Sequence, residues 1–387
     1  MKLLFITRHY LNEKNGGSLC SRANAYAFAS LFSDFSIIYP TKYGIKMEDF
    51  IPVKAKLFGC DDSRSKIRKG LDIYRGRLHR FVDYVKEHLT THQYDIIVLD
   101  HSLVGAGIVN YIHSKTNSKI ITIHHNIEHK YNEDNKQMLL FRYPYNYFAN
   151  KAERETLNLS NLNLTLTKLD ADYFAEWNKN INKYPIECLG NFETPDAPVI
   201  FDKYQGSQGK GVRMVISGSM NFPQTVDAIV NFLTIYYPVA KKITPFISLV
   251  LTGRNPAKQI KDLCRNDSTI KIVESPDDIF EVIKDGNLYV SPIFGGSGVK
   301  LRVMDGLRLG LPVLCHENSA NGYETIMKAG YMFTYHDVSS FESSYTKLIH
   351  TKFEKKKIYE SYRQTFSFEA GVKRLRNILK KYNLIDL

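Results

Sequence analysis

The chain has 387 residues, of which 43% are hydrophobic and 24% charged, and its formal net charge is +12 at pH 7. This length predicts two domains, each large enough for its own core, and the composition is typical of a globular protein. No apolar run approaches the roughly 18 residues that a membrane span needs, and the apolar start of the chain is too short for a signal peptide. These features argue against an integral membrane protein and predict a cytoplasmic one.

The cysteine pattern argues against disulfide and zinc sites, and the net charge indicates the class of partner. The five cysteines are dispersed and include no C-x-x-C pair, which argues against a disulfide framework and a zinc site and predicts buried free thiols. The basic excess favours partners that carry phosphate, namely nucleotides, nucleic acid or anionic lipid. Because no zinc-finger, RNP or helix-turn-helix pattern is visible, we predict no nucleic-acid partner.

The first segment of the chain reads as strand, glycine turn and helix. A buried strand at Lys2–Thr7 is followed by Gly16 and Gly17, and an amphipathic helix is predicted over residues 19–32. A glycine turn before a helix forms a cradle of the size of a phosphate group. The turn lacks the G-x-G-x-x-G pattern, which weakens a dinucleotide interpretation. A glycine turn required only by chain geometry is an equally good interpretation.

A strongly basic segment follows between residues 64 and 89. Apolar residues at spacings of three and four predict one long helix over 66–89 with a single apolar face. Between residues 64 and 80 there are seven Lys or Arg against one acid, Asp72. The basic strip is interpreted either as the solvated face of a packed helix or as a surface that rests on anionic lipid or an anionic acceptor.

Histidines gather after two predicted strands. Residues 94–99 end at Asp100-His101, and residues 119–123 end in the run HHNIEH that begins at His124. We predict no metal here, because side chains diverge after a strand end, no carboxylate pair completes a site and the spacing fits no standard motif. A second helical region, 130–158, is rich in Tyr and Phe, most of which are expected to pack in the core.

The second half of the chain begins after a linker at 191–211 that is rich in proline and glycine. A strand at 212–216 leads into a turn with Gly218 and Ser219. A later strand, 247–252, is followed by Arg254, at the end of a parallel strand where α/β sheets bind ligands. The alternation of strands and helices predicts an α/β protein of two doubly wound, Rossmann-like domains that face each other across a cleft.

The most informative stretch is 288–315, which reads as strand, glycine-rich turn, helix, turn and strand. Its glycines allow a tight turn and close approach of a ligand, and a helix predicted over 299–309 would present free N–H groups to an anion. Lys300 and Arg302 add charge there, and Asp305 is placed to accept hydrogen bonds from sugar hydroxyls. This pattern suits a nucleotide diphosphate-sugar; a glycine-rich turn with solvated charges is the alternative.

Residues 296–313, GSGVKLRVMDGLRLGLPV, closely resemble the donor-binding signature of GT-B glycosyltransferases of family 4, G-S-G-x-K-L-K-x-L-E-A-x-x-x-G-x-P-V. Asp305 stands where this family usually has Glu. Members transfer a sugar from a nucleotide donor, usually with retention of configuration and without a bound metal. The resemblance therefore implies a hexosyltransferase that needs no cofactor, because the nucleotide-sugar, most commonly a UDP-sugar, is its substrate.

The resemblance also implies roles for single residues. Catalytic roles fall to His125, with His124 as runner-up, and to Lys300 and Arg302. Contacts with the donor fall to residues at the glycine turns and strand ends, namely Gly16, Gly17, Gly218, Ser219, Gly295, Gly296, Ser297, Gly298, Lys300 and Asp305. Arg254 is a candidate phosphate contact from its place at a strand end, where family members often lack Arg. Many family members have Glu at the position of Ser297, where it contacts the donor sugar, so the identity of that sugar stays open here.

In GT-B enzymes the last helix crosses back onto the first domain, and the run FSFE at 366–369 resembles that entry. The predicted domains are therefore 1–195, completed by 366–387, on the acceptor side, and 196–365 for the nucleotide-sugar. The acceptor is expected to be a glycan or a lipid- or protein-linked sugar of bacterial surface polysaccharide or glycoconjugate synthesis. Contact with the inner face of the membrane through residues 64–89 and a homodimer are both compatible with the sequence.

Two other functions remain open from the sequence. A nucleotide-sugar 2-epimerase on the same fold would need acid and base carboxylates, and no convincing pair is visible. A non-catalytic transferase-like partner or glycan-binding protein is compatible with the altered residues Ser297 and Asp305, whereas Lys300 and the glycine loop argue for catalysis.

Overall fold

Two compact units make up the protein in the computed structural model, which describes residues 1–13, 15–41, 48–61, 66–79, 81–133, 142–177, 179, 184–204, 211–296 and 298–385. The side chains of residues 66 and 131–133 lie outside that description. The first unit comprises Met1–Asp196 and Phe366–Leu387, and the second comprises Ala197–Thr365. Each unit is built around one parallel sheet with helices packed against it, so the fold class is α/β.

The sheet of the first unit has seven parallel strands. They are β1 Lys2–Thr7, β2 Asp34–Thr41, β3 Lys56–Asp61, β4 Ile96–Asp100, β5 Lys119–His124, β6 Leu162–Thr165 and β7 Ile186–Cys188, in the order β3-β2-β1-β4-β5-β6-β7. The central strands β1 and β4 are buried runs of apolar residues, as expected where helices cover both faces of a sheet. The strand order reverses between β1 and β4, and at such a point the carboxyl ends of the strands border a crevice.

The helices of the first unit before the linker are α1 Gly16–Leu31, α2 Lys66–Tyr74, α3 Phe81–Thr91, α4 Val109–Lys115, α5 Glu128–Glu133, α6 Arg142–Leu159 and α7 Lys168–Trp177. Helix α1 starts with Gly16 and Gly17 in its first turn rather than after them. Its N-cap is Asn15, whose side chain accepts a hydrogen bond from the backbone N–H of Ser18. The cap satisfies one of the N–H groups that a helix start leaves unpaired.

The sheet of the second unit has six parallel strands. They are β8 Val212–Ser219, β9 Ile247–Arg254, β10 Ile270–Glu274, β11 Leu288–Ser291, β12 Val313–His316 and β13 Met332–Tyr335, in the order β10-β9-β8-β11-β12-β13. The reversal lies between β8 and β11, so the glycine-rich stretch after β11 emerges at the switch point of this sheet. Strand β8 extends to Ser219, so Gly218 and Ser219 end the strand instead of forming the predicted turn.

The helices of the second unit are α8 Pro223–Asn231, α9 Tyr237–Ile243, α10 Lys258–Cys264, α11 Ile279–Ile283, α12 Val303–Arg308, α13 Glu324–Lys328, α14 Val338–His350 and α15 Lys355–Phe366, with a π-helical turn between α8 and α9. The last helix, α16 Phe368–Lys381, belongs to the first unit. There Arg374 Nε donates to the carbonyl of Leu189 at 2.8 Å, which ties α16 to the chain just after β7.

The single long helix predicted over 66–89 is wrong, because the chain forms α2 and α3 with a break between them. At the break, Gly76 has a φ of +70°, the Gly76 N–H donates to Ile73 O, and the Arg77 N–H donates to Asp72 O. This pair of bonds is a Schellman motif, which ends a helix at a residue with positive φ. The predicted apolar face is also interrupted, since Ile67, Leu71 and Tyr74 are exposed.

Other boundaries differ from the predictions for local reasons. Residues 41–63 show no strand pattern in the sequence, yet they contain the edge strand β3, whose side chains are mixed in character. The region 130–158 divides into α5 and α6. The helix predicted over 299–309 is limited to α12, Val303–Arg308. Within the described ranges, no helix has both the length and the apolar character required to cross a membrane.

Candidate functional site

The glycine-rich loop after β11 depends on backbone conformations that favour glycine. Gly296 and Gly298 have φ values of +80° and +76°, which side chains with a Cβ rarely adopt. A Cβ at Gly296 would lie 2.9 Å from the Gln224 amide, whereas one at Gly295 would meet nothing within 4 Å. The loop is therefore packed on one side and borders open space at Gly295. Ser297, predicted to contact the donor, lies outside the described residues.

Lys300 is folded back onto this loop. Its Nζ donates to the carbonyl oxygens of Gly296 at 3.1 Å and Gly298 at 3.2 Å. Asn318 Nδ2 also donates to Gly296 O, at 3.0 Å, and the buried Tyr323 hydroxyl donates to the carbonyl of Lys300 at 3.0 Å. The structure thus brings Lys300 together with two of the predicted loop glycines and fixes an ammonium group against them.

Arg302 and Asp305 form an ion pair. Arg302 Nη1 lies 3.1 Å from Asp305 Oδ2, with the arginine half-exposed and the aspartate largely buried. The charge of Asp305 raises the pKa of the Arg302 guanidinium, against the opposing effect of burial. Helix α12 begins after Arg302, four residues later than predicted, so the loop glycines are not its first turn. The anion site expected at a helix start is therefore replaced by a loop with fixed cations.

Helix α12 is positioned by a glycine that the sequence analysis did not single out. A Cβ on Gly306 would lie 2.5 Å from the Tyr289 ring, so only glycine lets α12 approach β11 this closely. The Tyr289 hydroxyl is hydrogen-bonded to Ser217 Oγ at 2.7 Å. Tyr289 thereby joins α12, β11 and β8. Gly306 could have been recognised in the sequence as the small residue one place after Asp305, whereas Tyr289 carries no such signal.

The neighbouring strand ends carry Gly218, Ser219 and Arg254. Ser219 pairs with Arg254 across β8 and β9, and both side chains are exposed at the carboxyl edge of the sheet. Gly253 has a φ of +149°, and a Cβ there would lie 1.7 Å from the carbonyl oxygen of Gly218. This approach requires glycine at 253, whereas a Cβ at Gly218 would make only an ordinary 3.6 Å contact with Thr225.

In the first unit, His125 is held by a buried carboxylate. Its Nε2 lies 2.9 Å from Asp100 Oδ1, and Asp100 also accepts from Thr7 Oγ1 at 2.8 Å and Asn24 Nδ2 at 3.3 Å. Burial by itself would raise the pKa of the Asp100 carboxyl, but the charge and hydrogen bond of His125 bring that pKa below its ordinary value. Because an ionised carboxylate only accepts, the proton must lie on Nε2 of His125.

Two further histidines stand beside His125 at the carboxyl ends of β1 and β4. The His9 ring stacks on His125 with centroids 5.4 Å apart, and the His101 ring lies 5.3 Å from His125. Burial, followed by the neighbouring His125 and His101, lowers the pKa of His9 well below its usual value. His9 Nε2 is buried and has no hydrogen-bond partner among the described residues. The sequence analysis missed His9, which lies in a loop without a motif.

Gly17 makes room for this cluster, because a Cβ there would lie 2.6 Å from His9 Cε1. Gly16 precedes it at the start of α1. His101 has a φ of +110°, an unusual value for a residue with a side chain and one that occurs mostly at functional or strained positions. Its Nε2 lies 3.1 Å from Glu128 Oε1, so a second histidine–carboxylate pair lies beside the first.

His124, the runner-up to His125, points elsewhere. Its Nε2 pairs with Asn163 Oδ1 at 3.0 Å, and its ring packs 4.8 Å from that of Phe174. Successive side chains at the end of β5 point in opposite directions. Of His124 and His125, only His125 therefore lies beside His9, His101 and Asp100. Among the described residues, no group of three or more His, Cys, Asp or Glu side chains could hold a metal ion.

Comparison with known proteins agrees with the fold. No family model matches the chain. The chain is 23% identical, over 274 residues, to a Klebsiella pneumoniae protein described as an uncharacterized 44.6 kDa protein in cps region. That match covers 68% of this chain and spans only 61% of the length of this curated relative.

Solved structures with similar folds are glycosyltransferases. HepE of Anabaena in complex with UDP matches with a TM-score of 0.66 and 13% identity, over 98% of this chain and 100% of HepE. A Rickettsia africae glycosyltransferase matches with a TM-score of 0.62 and 12% identity, over 100% and 99% of the two chains. The catalytic domain of Arabidopsis thaliana starch synthase IV, bound to ADP and acarbose, matches with a TM-score of 0.65 and 10% identity, over 99% of both chains. The chain thus has the GT-B fold.

Proposed function

We propose that the protein is a glycosyltransferase of family 4 type that transfers a sugar from a nucleotide diphosphate-sugar, most simply a UDP-sugar, to an acceptor. The observation that carries the proposal is the position of Lys300, whose ammonium group is fixed on the carbonyls of Gly296 and Gly298 at the switch point of the second sheet. The similar fold of HepE, solved with UDP, supports it. We propose a retaining reaction that uses neither a metal nor a cofactor.

The chemistry follows from charge. When the bond between sugar and diphosphate breaks, negative charge builds on the departing diphosphate, and cations fixed in advance stabilise it without reorganisation. Lys300 supplies one such cation. Arg302 supplies a second if a diphosphate replaces part of its contact with Asp305, and Asp305 is then free to accept from ribose hydroxyls. Gly295 to Gly298, Gly218, Ser219 and Arg254 are the proposed further contacts with the donor.

His125 is proposed to position the donor sugar or to stabilise the positive charge that develops on it. Because Asp100 accepts the Nε2 proton, the ring is fixed in one orientation. Asp100→Asn should weaken this hold, because a neutral amide attracts the Nε2 proton less strongly than a carboxylate does, and should lower kcat with little effect on nucleotide binding. Equal loss of nucleotide affinity and kcat would contradict this role.

A binding and product experiment tests the function as a whole. A ligand that binds only the native state raises its melting temperature, so thermal shifts are measured with UDP-, GDP- and dTDP-sugars. Products are then analysed with and without glycan acceptors. Transfer or slow donor hydrolysis is expected. Release of a 2-epimer without acceptor would establish an epimerase, and binding without turnover would establish a non-catalytic partner.

We also propose contact with an anionic membrane surface through α2, which suits a lipid-linked acceptor in surface polysaccharide or glycoconjugate synthesis. Ile67, Leu71 and Tyr74 lie along one side of α2 and are 78%, 55% and 56% exposed. The exposed Arg68, Lys69 and Arg75 flank them. An exposed apolar stripe with basic flanks is typical of helices that lie at a membrane interface. A cytoplasmic location at the inner membrane face and a homodimer stay predictions.

Sedimentation with vesicles tests this contact. The protein is expected to sediment with vesicles that contain phosphatidylglycerol and to remain in solution with pure phosphatidylcholine. Leu71→Glu should weaken sedimentation, whereas Val53→Glu, at a fully exposed position outside α2, serves as the matched control. Equal sedimentation of both variants would refute a role for α2.

A further inference from the structure

A groove runs along α6 in the first unit, and none of its lining residues was assigned to the candidate site. Its volume is about 720 Å³, and its lining includes Asn110 of α4, His129 of α5 and a row of α6 side chains. We call it the α6 groove. A volume of this size is in the range of small-ligand sites, and the lining combines polar side chains with apolar surface. A ligand that fits must therefore offer both hydrogen-bonding groups and apolar surface.

The lining offers uncharged groups that both donate and accept. Four asparagines face the α6 groove: Asn110, Asn146, Asn150 and Asn158. A carboxamide presents two donor protons and an acceptor oxygen, which match hydroxyl groups that also donate and accept. The charged residues of the lining partly cancel, since Lys151 lies 3.9 Å from Glu155 on the same helix. This balance favours a neutral ligand rich in hydroxyls over a phosphate.

Several of these groups are already fixed. Asn150 Oδ1 accepts from Arg154 Nε at 3.1 Å, and the Arg154 guanidinium lies 4.2 Å from the centroid of the Trp177 ring. The same indole stacks on His129 at 4.4 Å. Fixed polar groups lose less freedom on binding, which raises affinity.

Two features of the α6 groove suit a bound ligand. Asn146 Oδ1 is buried and accepts no hydrogen bond from the described residues, although buried polar groups are normally paired. The Tyr147 ring is 66% exposed, contrary to the core packing expected for aromatic residues of this region. An exposed aromatic face beside amide groups suits a pyranose ring, which has an apolar C–H face and a rim of hydroxyls.

We propose that the α6 groove binds a neutral, hydroxyl-rich glycan chain at a site separate from the proposed nucleotide-sugar site. Binding here needs no nucleotide and involves no covalent step. It would hold a glycan on the surface of the first unit whether or not that glycan is the acceptor of a transfer reaction.

The single tryptophan of the chain provides the readout. Trp177 is the only tryptophan and contacts Arg154 and His129, which both line the α6 groove. Its fluorescence is measured during titration of the full chain with maltohexaose, laminarihexaose and chitohexaose, without nucleotide, and with pyrophosphate as the anionic probe. We expect a saturable change with at least one oligosaccharide and none with pyrophosphate.

Two variants and a matched control locate the site. Tyr147→Ala and Asn146→Ala should each weaken oligosaccharide binding by about tenfold, the loss of one good contact. Tyr143→Ala removes an exposed tyrosine of the same helix that does not line the α6 groove, and it should bind as the parent chain does.

The outcomes that overturn the proposal are distinct. The glycan site is refuted if no oligosaccharide gives a saturable change up to about 10 mM, the limit of weak specific binding. A response to pyrophosphate alone would establish an anion site instead. Equal weakening by Tyr143→Ala and Tyr147→Ala would place binding elsewhere. The titration is repeated with Lys300→Ala, in which glycan binding should persist. The glycan-binding proposal can then be judged independently of the transferase proposal.

Discussion

Substitution of Lys300 examines the electrostatic basis of the proposed reaction most directly. Its Nζ donates hydrogen bonds to the carbonyls of Gly296 and Gly298. Removing the ammonium group therefore removes a positive charge and two hydrogen bonds that hold the loop. Removal of one preorganised donor typically costs about 2–4 kcal/mol of transition-state stabilisation. At 1.36 kcal/mol per factor of ten, Lys300→Met should lower kcat/KM by roughly 30- to 900-fold.

The effect on folding should be much smaller. The lysine is partly exposed, so the loss of its two loop contacts should cost about 1–2 kcal/mol of unfolding free energy. Lys300→Met keeps most of the aliphatic stem, and Lys300→Arg restores a charge in altered geometry and should recover part of the activity. Lys271→Met, at an exposed position on β10, is the matched control for loss of a cation.

The assay combines initial rates for donor consumption with urea unfolding of each variant. The reasoning is refuted if Lys300→Met keeps more than about one thirtieth of the parent kcat/KM, because the loss is then smaller than about 2 kcal/mol. It is also refuted if Lys271→Met loses as much activity, since the effect would then come from net charge and not from the loop.

Three further predictions concern other parts of the structure. Asp305→Ala should raise the donor dissociation constant more than it lowers kcat. A double-mutant cycle with Arg302→Ala should show coupling between the two residues. Unchanged donor binding in a titration would contradict the role of Asp305 in binding the donor. Gly253→Ala should destabilise the second unit by about 3 kcal/mol through its clash with backbone, while Gly218→Ala should cost little, and similar urea midpoints would contradict this. Burial alone would raise the pKa of Glu128, but its pairing with His101 lowers that pKa from 4.5 to about 2. The ionised Glu128 carboxylate therefore stabilises the fold above pH 4.5, and this contribution is lost as the pH falls toward 2. Glu128→Gln should flatten this fall in unfolding free energy, and an unchanged pH profile would contradict the prediction.

The strand pattern was predictable where both faces of a strand are buried. Strands β1, β4, β5, β8 and β9 are continuous apolar runs, and each was expected within a few residues of its observed position. The edge strands β3 and β7 were missed, because an edge strand is held by backbone bonds to one neighbour and needs no apolar run. The break between α2 and α3 was missed because Gly76 ends the helix through its backbone conformation while the apolar spacing continues.

Some candidate site residues could be selected from the sequence, and others could not. Lys300, the loop glycines and His125 could be selected from the sequence because they lie in or beside a recognisable strand–loop pattern. The carboxylate that holds His125 could not, since Asp100 ends a different strand and meets the histidine only because β4 and β5 are neighbours. His9 and Tyr289 carry no local signal, and only packing brings them to their positions.

By itself the sequence determined the α/β class, the glycine loop after β11 and the basic residues beside it, because these depend on hydrophobic burial and on backbone freedom within short stretches. The tertiary structure decided which side chains meet. It paired His125 with Asp100 and gathered His9 and His101 around His125. Contacts of this kind join residues far apart in the chain, so they follow from strand order and packing and leave no pattern in the local sequence.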